Sequence, residues 1–234
     1  MTEKITRRNF LGLLGTGMLI ATAIPLAGCS QEAARQEPAG QLSKDEEGAS
    51  SMASSNEVNA GEKASPDSLV VYFSRAGENY GVGNIEVGNT EMVAREIAAQ
   101  AAADTFEIET VEAYPVVYDE CTEKASSEQK TGVRPAIVGD IDGWDGYETV
   151  YLGYPIWWGD MPMAVYTFLE GHDFSGKRVV PFNTHEGSGQ ASTVRTLRTM
   201  LDGADVADGA AIKGSVAQSD GKAVTDFAAG LIGK

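Results

Sequence analysis

Leu69-Val70-Val71-Tyr72-Phe73 is an unbroken apolar run, and Ser74-Arg75-Ala76-Gly77-Glu78-Asn79-Tyr80 follows it directly. Such a run marks a strand buried on both faces, the kind found in parallel sheets covered by helices. From Ser74 to Val87 the chain is Gly-rich and irregular. Asn89 or Thr90 then caps a helix through about Ala103, with Val93, Ile97 and Ala101 on one face and Met92 flanking it.

Working outward, strand and helix signals alternate. Thr105 to Val111 alternates apolar and charged residues and reads as a strand nearer an edge. After a polar stretch with Tyr114-Pro115 and Tyr118, a short helix is expected around Glu120 to Lys130. Thr149 to Tyr154 is a second buried strand, ending at Pro155, and Pro162 opens a helix carrying Val165, Phe168 and Leu169. Lys177 to Phe182 is a strand, Ser192 to Leu201 a helix, Ala210 to Val216 a last strand, and Val224 to Leu231 a closing helix. This alternation with short links predicts an α/β domain with a parallel sheet covered on both faces. Right-handed crossovers leave few topologies for it. No internal repeat is visible.

The chain before this domain is different in kind. In residues 1–29, Lys4, Arg7 and Arg8 against Glu3 give +2, so with a net charge of −16 overall the remainder carries −18. An uncharged run from Phe10 to Ala27 follows, ending in Leu26-Ala27-Gly28-Cys29. A basic start, an apolar stretch and small residues before a break describe an export signal. Eighteen such residues also just span a bilayer as a permanent helix, though its glycines and Pro25 suit an anchor poorly. Thr6-Arg7-Arg8-Asn9-Phe10-Leu11 resembles the twin-arginine export motif, and Leu26 to Cys29 resembles a bacterial lipobox. These resemblances imply an extracytoplasmic protein, diacylated at Cys29 and anchored by that lipid to a bacterial membrane.

Residues 30–66 are rich in Ser, Ala, Glu, Gly, Gln and Asn, contain no aromatic residue, and carry seven acidic against three basic side chains. They cannot bury enough apolar surface to offset their ordering entropy. They are expected to form a flexible linker, spanning on the order of 30 Å r.m.s., that holds a folded domain, residues 67–234, clear of a membrane.

Composition removes several functions. With 34 acidic and 18 basic residues, the chain lacks the Lys and Arg clusters that nucleic-acid binding needs. Two cysteines and two histidines, His172 and His185, exclude a disulfide framework and argue against a metal cage. Cys121 is the thiol left over in the domain, read as a tolerated side chain.

In an open parallel sheet, ligands bind beyond the carboxyl ends of the strands. Three unusual segments begin at such ends. The first, Ser74 to Asn79 and on to Gly88-Asn89-Thr90, sets hydroxyls and glycines ahead of a helix N-terminus, where free N–H groups attract an anion. Ser74 and Thr90 can donate hydroxyls, while Gly77 and Gly88 allow close backbone approach to a phosphate. The plainer reading is a long, capped strand-to-helix connection. The second segment, Tyr154-Pro155-Ile156-Trp157-Trp158-Gly159-Asp160, puts two tryptophans on a loop, where ring planes can flank a flat ligand. One of the two is expected to cover the core edge. The third is Phe182-Asn183-Thr184-His185-Glu186-Gly187-Ser188-Gly189.

Together these segments resemble the three FMN loops of the flavodoxin-like family, over about residues 67 to 234 and in the same order. The resemblance implies a doubly wound five-stranded parallel sheet of order 2-1-3-4-5 with helices on both faces. It implies FMN as cofactor, with Ser74, Gly77, Asn89 and Thr90 holding the phosphate. Pro155, Ile156, Trp157, Trp158 and Gly159, with Thr184, His185, Glu186, Gly187, Ser188 and Gly189, line the isoalloxazine. Arg75, Ala76, Asn79 and Gly88 are further candidate contacts in the first loop. An insertion between Asn79 and Gly88 interrupts the compact phosphate turn, so the roles of Arg75, Glu78, Asn79 and Tyr80 stay open. Tyr80 either covers the flavin or simply packs.

Three motifs mislead. Gly171 to Lys177 fits GxxxxGK but is followed by Arg178 and precedes a strand; His185-Glu186 lacks the second histidine of HExxH; Gly187-Ser188-Gly189 lacks the GxSxG spacing. Two functions stay open. One is electron transfer to a protein partner, a basic docking face suiting the −18 charge. The other is an FMN-dependent NAD(P)H:quinone oxidoreductase in which His185 protonates or orients the acceptor.

Overall fold

β1 (Ser68–Tyr72) sends alternate side chains to two separate hydrophobic clusters, as a pleated strand buried on both faces must. The computed structural model describes residues 67–233. The expected export signal, Cys29 and the linker at 30–66 lie outside them. Leu69 and Val71, with Phe73 just beyond the strand, enter one cluster; Val70 and Tyr72 enter the other.

The insertion after β1 is an antiparallel hairpin, β2 (Gly77–Asn79) and β3 (Gly83–Ile85), where the sequence had suggested irregular chain. Its strands are three residues each, too short for an alternating pattern to register. Next come α1 (Asn89–Ala101), β4 (Asp104–Glu107), α2 (Tyr118–Thr131), β5 (Thr149–Pro155), α3 (Met163–Gly171), β6 (Arg178–His185) and α4 (Thr193–Met200). β7 (Asp205–Val206), β8 (Ala210–Lys213), α5 (Gly214–Ser219) and α6 (Gly221–Ile232) complete the domain.

The main sheet is parallel throughout. It runs β4-β1-β5-β6, with β7 and β8 both paired to the far side of β6. Numbered as five strand positions this is the expected order 2-1-3-4-5, with the fifth position split. The split has a chemical cause. Val179 accepts a hydrogen bond from Ala207 N on that side, so the next residue of β6 facing the fifth strand is Pro181, which has no N–H to give. The ladder resumes only at Phe182, opposite Ala210.

α1, α5 and α6 cover one face through Val93, Ile97, Ala217, Val224, Ala228 and Leu231. α2, α3 and α4 cover the other through Cys121, Phe168, Leu169 and Leu197. The last strand is shorter than the sequence suggested. Ala210 to Val216 divides at Gly214, where the chain turns into α5, because the Glu186 carboxylate takes the Ser215 N–H and starts a helix there. Asp220 caps α6 by accepting from Ala223 N. Among the described residues no helix is long and apolar enough to cross a membrane.

Candidate functional site

The carboxyl ends of β1, β5 and β6 bring the three loops to one edge of the sheet. At the first loop, the Ser74 hydroxyl accepts from Glu91 N at 3.1 Å, so the strand end caps the first turn of α1. Gly88 makes this possible: a Cβ there would stand 2.1 Å from Ser74 Oγ and 2.9 Å from the Arg75 backbone. Among the described residues, no acceptor answers the N–H groups of Asn89 and Thr90 or the Asn89 Nδ2. Those donors stand where the partial positive charge of the helix is concentrated. Thr90 is buried and its hydroxyl pairs with that of Thr184 at 2.8 Å, tying the first loop to the third.

Arg75 acts as a staple. Its guanidinium donates to the carbonyls of Pro115, Val116 and Glu78. Asn79 Nδ2 donates to Arg75 O and Gly77 O, closing the turn into the hairpin. The hairpin is anchored again where Glu78 N donates to Val116 O and the Glu78 carboxylate accepts from Tyr118 N, the first residue of α2. This carries exposed Tyr80 to within 6.2 Å of the Tyr118 ring.

The two tryptophans of the second loop have opposite settings. Trp157 and Asp160 exchange backbone hydrogen bonds around a tight turn in which Trp158 and Gly159 take φ of 50° and 78°. Trp157 is half-buried and meets Phe73 and Tyr114 edge-on, with ring centroids 5.3 and 5.0 Å away. Trp158 is 60% exposed, and its indole N–H donates to Thr122 O on α2. A left-handed backbone at an exposed tryptophan is strained, and the turn holds it there.

In the third loop, His185 Nδ1 accepts from Gly187 N at 2.9 Å, which places the ring proton on Nε2. Burial pushes the imidazole below the ordinary histidine value of 6.5; Lys213 adds to this and the Glu186 carboxylate opposes it. Asn183 Nδ2 donates to Gly189 O and fixes the rest of the loop.

These groups enclose a cleft of about 270 Å³. Arg75, Asn79 and Asn89 come to it from the first loop, Ile156, Trp157 and Trp158 from the second, and Thr184, His185 and Glu186 from the third. Thr90 and Gly88 stand behind that wall and shape it. Ser74 and Ala76 face a separate open groove beyond β1 and β4. Gly77 begins β2 and Pro155 ends β5, while Gly159, Gly187, Ser188 and Gly189 lie in the loops; none of the six lines the cleft.

One wall was missed in the sequence. Tyr118, Cys121, Thr122 and Ala125 of α2 line the cleft. Their spacing of three, four and seven residues puts them on one helical face. That stripe, aromatic and small residues in an otherwise polar helix, was the available signal. Burial raises the Cys121 thiol, against a lowering influence from Arg75. Hydrogen-bond donors without acceptors at one end and aromatic surface at the other suit a flat molecule carrying an anionic group.

The sequence profile of the flavodoxin family matches residues 68–227. The chain belongs to that family. Among solved structures, it is similar to a candidate flavoprotein of Bacteroides eggerthii, at 27% identity and TM-score 0.56, over 71% of this chain and 98% of that one. A candidate flavoprotein of Bacteroides uniformis gives 26% identity and TM-score 0.57, over 73% and 99%. A Lactobacillus acidophilus flavoprotein, solved in complex with FMN, shares the fold at 20% identity and TM-score 0.50, over 65% and 95%. No curated protein matches the sequence.

Proposed function

We propose that the domain binds FMN in this cleft and serves as an electron carrier for a protein partner outside the cytoplasm. One observation carries the reading: a single cleft joins Asn89, at the unanswered donors of the α1 terminus, to an aromatic wall at Trp157, Trp158 and Tyr118. The residues fit the cofactor in kind. The α1 terminus and the Asn89 amide would hold the phosphate, and the aromatic side chains would flank the ring. When bound, FMN supplies the one- and two-electron chemistry, and the protein supplies binding, orientation and exclusion of water. Exposed Tyr80 and Trp158 at the cleft, with exposed Asp119, Glu120 and Glu123 on α2, favour a partner with an apolar, basic docking face.

The cofactor reading is tested by the absorption spectrum of the purified protein and by chromatography of what acid releases from it. FMN is the expected product; FAD, or a colourless folded protein that takes up no FMN, overturns it. A second reading, an NAD(P)H:quinone oxidoreductase, is favoured by the neutral His185, whose remaining ring N–H belongs to a residue lining the cleft. Rapid quinone reduction by NADH or NADPH without a partner protein would replace the carrier reading with this one. Location rests on the twin arginines Arg7-Arg8 and on Cys29. Mass spectrometry of membrane fractions is expected to find a mature N-terminus at acylated Cys29; another N-terminus, with no acyl group, defeats the anchor.

A further inference from the structure

The short helix α5 stands outside the three loops, yet it is bonded to two of them. On one side the Glu186 carboxylate, in the third loop, accepts from Ser215 N at 2.6 Å and from Ser215 Oγ at 2.9 Å. On the other, Gln218 Nε2 donates to Asn89 Oδ1 and to Val87 O, both at 2.9 Å, at the end of the first loop. With Asn89 Oδ1 so engaged, Nδ2 is left as the amide's donor on the first residue of α1, lying close over Gly214.

Both attachments converge on Gly214. A Cβ there would stand 2.3 Å from Asn89 Nδ2 and 3.0 Å from Glu186 Oε1, so the amide and the carboxylate rest on the bare Cα from two sides. The hairpin reaches the same carboxylate: a Cβ on Gly81 would lie 3.4 Å from Glu186 Oε2.

We infer that α5 is a two-point latch, in which Gln218 positions Asn89 for the phosphate and Ser215, through Glu186, positions the loop that lines the ring. The inference rests on the FMN reading above. It makes Ser215 and Gln218 positioning residues, because neither lines the cleft. The physical reason for such a device lies in the connectivity. The Asn89 and Glu186 regions lie almost a hundred residues apart in the chain, and beyond the sheet that carries both, α5 and the Thr90–Thr184 hydroxyl pair tie them together. Pre-set spacing spares the cofactor the cost of ordering two loops on binding.

The test compares FMN with riboflavin, which lacks the phosphate, by fluorescence titration of the cofactor-free full-length chain. Gln218→Ala is expected to weaken FMN about three- to tenfold while changing riboflavin less than about twofold, the loss expected of one or two hydrogen bonds acting at the phosphate end. Ser215→Ala should weaken both ligands by the same factor, and Ser215→Thr, which keeps the hydroxyl, should restore them. A purely structural role for α5 would lower the melting temperature and affect both ligands alike in every variant. Equal losses for the two ligands in Gln218→Ala, or no loss in either variant, overturn the latch while leaving the cofactor reading intact. A wild-type protein that binds no FMN overturns the cofactor reading and the latch with it.

Discussion

The two ends of the cleft are built on opposite principles. At the α1 end stand open backbone N–H groups and one amide, held in place by close approaches such as Ser74 Oγ over Gly88. At the other end stand large side chains, Trp157 packed edge-on against the Phe73–Tyr114 pair and Trp158 held out on a strained turn. A charge is recognised by fixed dipoles that cost nothing to reorganise, so that end needs absent side chains more than particular ones. A ring is recognised by area, so its end needs bulk placed where the core can brace it.

The contrast can be broken most severely at Trp157. Because its indole is part of the core edge, Trp157→Ala should cost about 2–4 kcal/mol of domain stability, as large-to-small changes in packed sites do. Urea unfolding of the cofactor-free protein measures it. A loss below about 1 kcal/mol, within the range of surface substitutions, would show that the aromatic end is not braced by the core.

Gly88→Ala attacks the other end. The added methyl displaces Ser74 from the α1 terminus, with an expected stability cost of about 1–3 kcal/mol. FMN affinity should fall much further than riboflavin affinity. An unchanged ratio of the two would mean that this turn does not hold the phosphate.

Thr90→Ala probes the seam between the first and third loops. It leaves the buried Thr184 hydroxyl without its partner, at a cost of about 1–2 kcal/mol, and Thr90→Ser should recover it. Stability unaffected by Thr90→Ala would show that the hydroxyl pair contributes nothing.

Trp158→Ala should leave stability within about 0.5 kcal/mol, since the side chain is exposed. Its effect belongs to bound FMN. Losing aromatic cover should admit water and raise the potential of the couple that forms the reduced, anionic flavin. Potentiometric titration reads this directly, and an unmoved midpoint removes Trp158 from tuning.

The smallest effect is that of pH at His185. Burial holds this imidazole below 6.5 in the folded chain, so as pH falls the unfolded chain takes up its proton first. The stability present above that value is therefore lost as pH drops from 6.5 through the folded-state value. In urea titrations of the cofactor-free protein, His185→Gln should remove this part of the acid sensitivity. Identical profiles for the two proteins would place the sensitivity elsewhere.

Much of this was legible along the chain. The apolar runs at Leu69–Phe73 and Thr149–Tyr154 carried the buried strands, because a strand covered on both faces has no polar side to interrupt it. The three strand-end loops were legible because each concentrates residues that a plain connection does not need. By contrast, the hairpin of the insertion and the helix α5 were not visible. Each is too short to show a period, and each exists through contacts with distant residues: Glu78 with α2, and Ser215 with Glu186.

The sequence by itself determined the parallel sheet and the three strand-end loops where a ligand would meet it, since these follow from periodicity and local backbone chemistry; the strand order was implied only by the family resemblance. Which tryptophan braces and which is presented was decided only in three dimensions, by the contact that Trp157 makes with the paired rings of Phe73 and Tyr114. So was the fourth wall of the cleft. The face of α2 that carries Tyr118, Cys121, Thr122 and Ala125 has a helical spacing any reader can count, but its direction depends on where the rest of the chain lies. Spacing along a chain is a local quantity; what a side chain faces is set by residues it meets only after the chain has folded.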